Sequence, residues 1–539
     1  MTDLVGAPST IPELLRDRRP DGDRTFVVTD AERLSYAEAD ARSAELAAAL
    51  LRTGIGKGTR VGLLFPNGAD FVVTWLAAAR IGALTVPLST FAPGAELVRL
   101  LRHTDVSVIL MAESMGPLSL ADRIEQGLPG IDAGGSAIEL EAVPYLRRVH
   151  ITPASGRAWA SAWPAPGGGS AAGGTLVAAA EAEVTAADDL VMVNTSGTTA
   201  APKSVVHTHG GLVRHAWVLA QNRRVTADDR IYSPMPFFWV GGLTMVLLQG
   251  LSTGATVVSQ NLFEPGAALE LLERERVTLV SCWQQASRAL ADHPDFAGRD
   301  LSSVRGGTLV EALPPDQRPP SPELTPNMLG MTETGGPHTM PEVSDRPLPP
   351  ERSGSYGVPV PGVEHRVVDE STGQPCAPGD VGILEVRGAI VMDRIHKRER
   401  ADVFTPDGWY STGDRGWFDE AGHLHFEGRA GTAIKTAGSN VSPPEVEAII
   451  DALPGVLHSY VIGLPHPTRG EVVAAAVVCA HGAVLSPEEV EAATREQLSS
   501  FKVPSVIRLL TVADVPMLPT GKVDVPALRA VLLADHARP

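Results

Sequence analysis

The segment Asn194-Thr195-Ser196-Gly197-Thr198-Thr199-Ala200-Ala201-Pro202-Lys203-Ser204 has the composition of a cradle for polyphosphate. It follows the apolar run Leu190 to Val193, which reads as a strand. Small residues let successive backbone N–H groups turn toward one point, hydroxyls add donors, and Lys203 supplies a charge. An ordinary Ser/Thr/Gly turn has the same composition, so this segment alone leaves both readings open. It is not a Walker A loop. In Gly197 to Ser204, Pro202 stands where that motif needs its second glycine, and proline has no N–H and a fixed φ.

Four further segments follow in order. Gly330-Met331-Thr332-Glu333-Thr334 sets a hydroxyl beside a carboxylate on a glycine-hinged loop. Gly408-Trp409-Tyr410-Ser411-Thr412-Gly413-Asp414 reads as a polar turn ending in an aspartate. Gly428-Arg429 leads into Ile434-Lys435-Thr436-Ala437-Gly438 and a helix begun by Pro443, with Ser442 and Glu445 spaced as a capping box. Pro519-Thr520-Gly521-Lys522 lies close to the C-terminal end. Each alone is common. The five together, in this order, resemble the adenylate-forming superfamily of acyl-CoA synthetases, amino-acid adenylation domains and beetle luciferases, over about residues 30 to 525.

The resemblance implies ATP-dependent activation of a carboxylic acid to its acyl-AMP, then thioester formation with coenzyme A, with Mg2+ as metal ion. Thr195, Ser196, Gly197, Thr198, Thr199 and Lys203 match the loop that holds pyrophosphate. Thr332 matches the contact to the α-phosphate and Glu333 the magnesium ligand. Asp414 matches the ribose clamp, with Arg429 beside it, and Gly307, Thr308, Leu329 and Gly330 the adenine side. Lys522 matches the catalytic lysine that bridges substrate carboxylate and nucleotide, and Lys435 and Gly438 the thiol tunnel. The hinge would be Gly431, two residues after the arginine, where relatives usually carry Asp or Lys.

Other positions depart from the family pattern. Ala200 and Ser204 replace common glycines, Leu329 replaces a frequent aromatic, and Glu311 to Pro326 carries six prolines where relatives have a helix. Trp239 replaces a frequent histidine or other gate aromatic in Pro236 to Gly242. The run Phe237 to Met245 contains no acid, whereas amino-acid activators place an aspartate there for the substrate ammonium. An uncharged, apolar acid is therefore expected, with walls from Phe237, Trp239, Gly242, Met245 and Trp283. Fatty, aryl and polycyclic acids all fit that description. Two alternatives remain: a stand-alone adenylating enzyme that hands acyl-AMP to a carrier protein or partner enzyme, and a non-catalytic acyl or nucleotide binder.

The elements that must position these residues alternate in type. Arg60 to Phe65, Leu84 to Leu88 and Val106 to Met111 read as strands, with helices at Asp70 to Arg80 and Glu96 to Arg102 between them. Ala255 to Ser259, Pro265 to Glu275 and Val277 to Cys282 repeat the β-α-β rhythm. That alternation predicts parallel sheets covered by helices. Ser161 to Gly174 reads as a flexible surface excursion, and Gly354 to Arg387 as antiparallel β structure. The expected α/β fold, as the resemblance implies it, has a large N-terminal domain of two α/β sheets plus a β barrel, residues 1–430. A small mobile α+β C-terminal domain, residues 431–539, carries the lysine.

Composition agrees. A chain of 539 residues is too long for one core, and 44% hydrophobic with 20% charged residues is ordinary for a globular protein. A net charge of −18 disfavours nucleic acid and anionic lipid as partners. Cys282, Cys376 and Cys479 have no pairing or ligand pattern, and no long uncharged apolar run is present. A cytoplasmic location is expected.

Overall fold

A computed structural model describes residues 6–164, 171–195, 202–313, 328–341, 355–429, 433–480, 483, 485–517 and 523–536. Its largest sheet has eight strands in the order Arg394–Ile395, Lys203–Thr208, Asp189–Thr195, Leu84–Pro87, Arg60–Leu64, Val108–Ala112, Arg148–Thr152 and Ala160–Ser161. Pairing is parallel from Asp189–Thr195 to the far edge. Successive residues face opposite sides, as the period of two requires. Val61 and Leu63 join the helices Tyr36–Arg52 and Ala69–Ala79 on one face. Ile109, Met111 and Ile151 join the helices Gly94–Thr104 and Leu120–Gly127 on the other. Both faces are buried, which explains why these strands read as nearly continuous apolar runs.

A second sheet of six strands runs Gly306–Gly307, Leu279–Val280, Arg230–Tyr232, Thr256–Val258, Thr25–Val28 and Arg33–Ser35, antiparallel only at the last pair. Two antiparallel sheets follow: Leu329–Met331, Gly336–Met340 and Val358–Pro359, then Val363–Val368, Gly382–Gly388, Tyr410–Phe418 and Leu424–Arg429. They share a core of Leu329, Tyr356, Val367, Leu384, Phe418 and Leu424, and backbone bonds from Tyr356 N–H to the Leu424 carbonyl and from Leu424 N–H to the Gly357 carbonyl join their edges. This is the third, barrel-like layer.

From Ile434 the chain enters a separate five-stranded sheet of Ser439–Val441, Ile434–Thr436, Gly470–Cys479, Val456–His466 and Val506–Leu510. Helices Pro443–Asp451 and Pro487–Gln497 cover one face, and Val525–His536 the other. The architecture is thus a large multi-sheet N-terminal part and a small α+β C-terminal part. Among the described residues, no helix is long and apolar enough to cross a membrane.

Three local expectations are corrected. Ser442 does precede the helix Pro443–Asp451, but its hydroxyl makes no capping bond: the Glu445 N–H donates to the Ser442 carbonyl at 3.1 Å, and the Glu445 carboxylate accepts from Lys502 Nζ at 2.8 Å. Within Ser161 to Gly174, Trp163 packs on the core and Ala171 opens the helix Ala171–Ala182, so this stretch is not simply a surface excursion; residues 165–170 lie outside the described set. Asp414 does not end a turn. It lies inside the strand Tyr410–Phe418, paired with Arg429 across the sheet.

Candidate active site

In open parallel sheets, the crevice beyond the carboxyl ends of the strands collects the loops. Here both sheets open onto one cavity of about 420 Å³. The eight-stranded sheet contributes Pro87 and Ser89, past Leu84–Pro87, and Val193 to Thr195 at the end of its own strand. The six-stranded sheet contributes Met235, Phe238, Trp239 and Met245, past Arg230–Tyr232, and Trp283, past Leu279–Val280. Trp239 sits edge-on to Trp283, with ring centroids 5.8 Å apart. Four methionines, Met235, Met245, Met328 and Met331, line the same space, giving a polarizable, adaptable surface, while the two acids in the lining, Glu96 and Glu445, both accept from Lys502 Nζ.

The polar wall is the hairpin of Leu329–Met331 and Gly336–Met340, turned at Thr332–Thr334. The turn ends on Gly335 at φ 68°, a left-handed conformation that favours glycine. Thr332 faces the cavity. Glu333 points behind it and is only 6% exposed. Its Oε1 accepts from Tyr410 Oη at 3.1 Å and from Lys203 Nζ, and Lys203 also donates to Tyr410 Oη at 2.8 Å. His207 Nε2 lies 2.7 Å from the Thr332 carbonyl oxygen, which can only accept, so the ring carries its proton there. Burial lowers the His207 pKa to about 4, with the Thr332 bond and Glu333 opposing that shift. The turn is therefore held by a neutral imidazole below and an ion pair behind.

Of the residues expected at a nucleotide site, Thr195, Gly330 and Thr332 line the cavity. Lys203 pairs with Thr195 across the hairpin of Asp189–Thr195 and Lys203–Thr208. Asp414 is buried at 7% exposure. Gly307 and Thr308 close the last strand of the six-stranded sheet, outside the cavity lining; Thr308 Oγ1 accepts from Cys282 N at 3.1 Å. Ser196, Gly197, Thr198, Thr199, Gly431 and Lys522 lie outside the described residues. Arg429 is described as the end of its strand.

Three expectations fail on orientation. Leu329 faces the barrel core, against Val367, Leu384 and Leu424, and not the cavity. Phe237 is fully buried against Phe71, and its neighbour Phe238 lines the cavity instead. Gly242 is likewise replaced by Gly241, since a side chain at Gly242 would overlap the Pro236 carbonyl. Trp239, Met245 and Trp283 do line the cavity.

The C-terminal part closes the remaining side. The hairpin of Ile434–Thr436 and Ser439–Val441 turns at Ala437 and Gly438, and Gly438, at φ 82°, lies against the Trp283 ring. Lys435 is exposed, its ammonium 5.3 Å from the Phe426 ring, and does not line the cavity. The sequence reading missed Glu96, Lys502 and Ser499. Lys502 Nζ donates to Glu96 Oε1 at 2.5 Å, and Ser499 Oγ donates to Glu96 Oε2 at 2.7 Å. Burial opposes the Lys502 charge, but Glu96 and Glu445 outweigh it and hold its pKa above the usual lysine value. Nothing in the sequence signalled this contact, because its partners are 406 positions apart. Tyr410 and Phe238 lay within segments already singled out, without an assigned part.

Comparison with known proteins follows the same outline. The family description "AMP-binding enzyme" matches residues 16–395, and "AMP-binding enzyme C-terminal domain" matches residues 445–522. A feruloyl-CoA synthase of an Amycolatopsis species is 31% identical, covering 91% of this chain and 92% of that protein. A Mycobacterium tuberculosis propanoyl:CoA ligase, named for a methyl-dioxo-octahydroindenyl acid, is 31% identical over 98% of this chain and 99% of its own. The solved amide bond synthetase McbA of Marinactinospora thermotolerans superposes with a TM-score of 0.77 at 26% identity, covering 97% of this chain and 99% of that one. With more than half its length matched, the chain belongs to the AMP-binding enzyme family and, with it, to the adenylate-forming superfamily.

Proposed function

We propose that the chain condenses an uncharged, apolar carboxylic acid with ATP to give acyl-AMP, and passes the acyl group to the thiol of coenzyme A. The observation that carries this reading is one cavity lined by Thr195 and Thr332, an acid-free wall from Met235 to Met245, and the Gly438 turn. In the first step a carboxylate oxygen attacks the α-phosphorus, and the bond to pyrophosphate breaks. In the second, the thiol sulfur attacks the acyl carbonyl, loses its proton, and AMP leaves. Thr195 to Thr199 and Lys203 would hold the pyrophosphate, and Thr332 the α-phosphate. Asp414 and Arg429 would hold the ribose, Gly307, Thr308 and Gly330 would lie on the adenine side, and Lys522 would bridge carboxylate and nucleotide.

One buried carboxylate plus substrate phosphates suits Mg2+, which seldom takes an all-protein cage, so Glu333 fits as its protein ligand. The ion would neutralise phosphate charge and polarise the reacting phosphoryl group. Lys203, now paired with Glu333, would be released toward the phosphates. We place the domain boundary at residues 430/431, with Gly431 as hinge; the change of sheet falls between Arg429 and Ile434.

Carboxylate-dependent exchange of pyrophosphate into ATP, across aliphatic, aryl and fused-ring acids and without coenzyme A, tests the first step. Exchange with none of them would overturn the reading. A second reading is favoured by the Trp283 ring against Gly438, since a pantetheine arm passing Gly438 has to displace that indole. The acyl-AMP would then go to a carrier protein or another acceptor. Adding coenzyme A decides between them: a thioester supports the first, and unchanged acyl-AMP the second. Gly438→Ala puts a methyl group into the Trp283 ring at a left-handed position. It is expected to slow the coenzyme A step at least about tenfold while exchange stays within about threefold, measured as separate half-reactions.

A further inference from the structure

The segment that brings Met245 to the cavity is not α-helical. Leu243–Leu248 forms a π-helical turn between the short α-helical pieces Val240–Gly242 and Gln249–Thr253. A π turn holds an extra residue, so carbonyls fall out of register with the amides four residues on. Inside a core such a carbonyl needs a donor from elsewhere. Arg223, just beyond the helix His209–Asn222, supplies one: its Nη1 donates to the Met245 carbonyl at 3.3 Å and to Gln249 Oε1 at 2.8 Å. Its Nη2 donates to Ser281 Oγ at 2.6 Å.

Arg223 is 7% exposed, and all three acceptors are neutral. Burial lowers its pKa to about 10, so it remains charged at neutral pH. A buried guanidinium without a bonded carboxylate costs stability that an apolar side chain of similar volume would not. Its placement gives a reason for it. Ser281 lies two residues before Trp283, so one planar group ties the turn bearing Met245 to the strand end bearing Trp283. Those two side chains stand on walls of the same cavity.

We propose that Arg223 is a positioning residue that fixes the separation of the Met245 and Trp283 walls, and thereby the width of acid the cavity accepts. This rests on the reading of the cavity as an acid site. The test compares Arg223→Met, Arg223→Lys and the milder Ser281→Ala with the parent chain, using benzoate, 4-hydroxycinnamate, decanoate and a fused-ring acid in the exchange assay. For Arg223→Met, the ratio of kcat/KM for the fused-ring acid to that for benzoate should rise on the order of tenfold. The change should lie in KM, with kcat for the narrow acid within about threefold, and Arg223→Lys should be intermediate. A uniform loss with an unchanged ratio would mean a purely structural part and overturn the proposal. Crystal structures of the variants supply the second readout: the Leu243–Leu248 turn should rewind or Met245 leave the wall, and an unmoved turn sinks the idea. That readout needs no activity, so it separates failure of the positioning claim from failure of the acid-ligase reading. Should Arg223→Met not fold, Ser281→Ala decides.

Discussion

Glu333→Gln is expected to slow carboxylate-dependent exchange about a hundredfold or more while the fold persists. Glutamine keeps the shape and an acceptor for Tyr410 Oη, so the Thr332–Thr334 turn stays supported. What disappears is the negative charge that Lys203 now faces and that the proposed metal ion would face during reaction. The stability change should be small, about 1 kcal/mol, since one charge-assisted bond is replaced by a neutral one. Exchange measured against Mg2+ concentration checks the assignment: the variant should need far more Mg2+, and parental activity at low Mg2+ would remove Glu333 from the metal site. Lys522→Ala in the same assay should fall by a comparable factor, on the order of a hundredfold or more, with ATP binding retained. An unchanged rate there would sink the assigned part of Lys522.

The second large effect is acid lability. His207, His209, His215 and His338 are nearly or fully buried. Burial lowers their pKa values to about 4, 4, 3 and 4. The unfolded chain has ordinary histidines near about 6.5, so between about pH 6.5 and 4 it binds more protons than the folded chain. Their contribution to stability is therefore complete above about pH 6.5 and is lost as the pH falls. Each proton is worth about 1.4 kcal/mol per pH unit, so four make about 5.6 per pH unit, against a typical total of about 5–15 kcal/mol. Cooperative unfolding is expected near about pH 5. Among the described residues, His215 has no hydrogen-bond partner at either ring nitrogen. His215→Leu should lower the slope of stability against pH by about one proton, read from urea unfolding at several pH values. An unchanged slope would mean that His215 is protonated in the folded chain.

How far the site was legible depends on what held each residue. Thr195, Lys203, Thr332 and Glu333 could be located because their neighbours in sequence, small residues on a strand end and a glycine-bounded turn, already fix the backbone conformation. The substrate wall was legible only to within one residue. Phe237 and Phe238 are chemically alike and adjacent, and which of them enters the cavity depends on how the following helical turn docks, with Phe237 taken by Phe71. Leu329 was misjudged because alternation along a strand says that neighbours face opposite ways, not which way is the barrel interior. The capping box at Ser442 failed on both halves, because the Glu445 N–H donates to the Ser442 carbonyl and the Glu445 carboxylate is taken by Lys502, a charge brought from 57 positions away.

The sequence by itself determined the β-α-β order of the parallel sheets, the lack of acid on the substrate wall, and the family, since these depend on local periodicity and on side chains near each other in the chain. Only the tertiary structure decided that both sheets end on one cavity, that Glu96 meets Lys502, and that Arg223 braces the turn of Met245 against Ser281. Those contacts join distant parts of the chain and follow from packing and the need to satisfy buried polar groups, neither of which leaves a periodic trace.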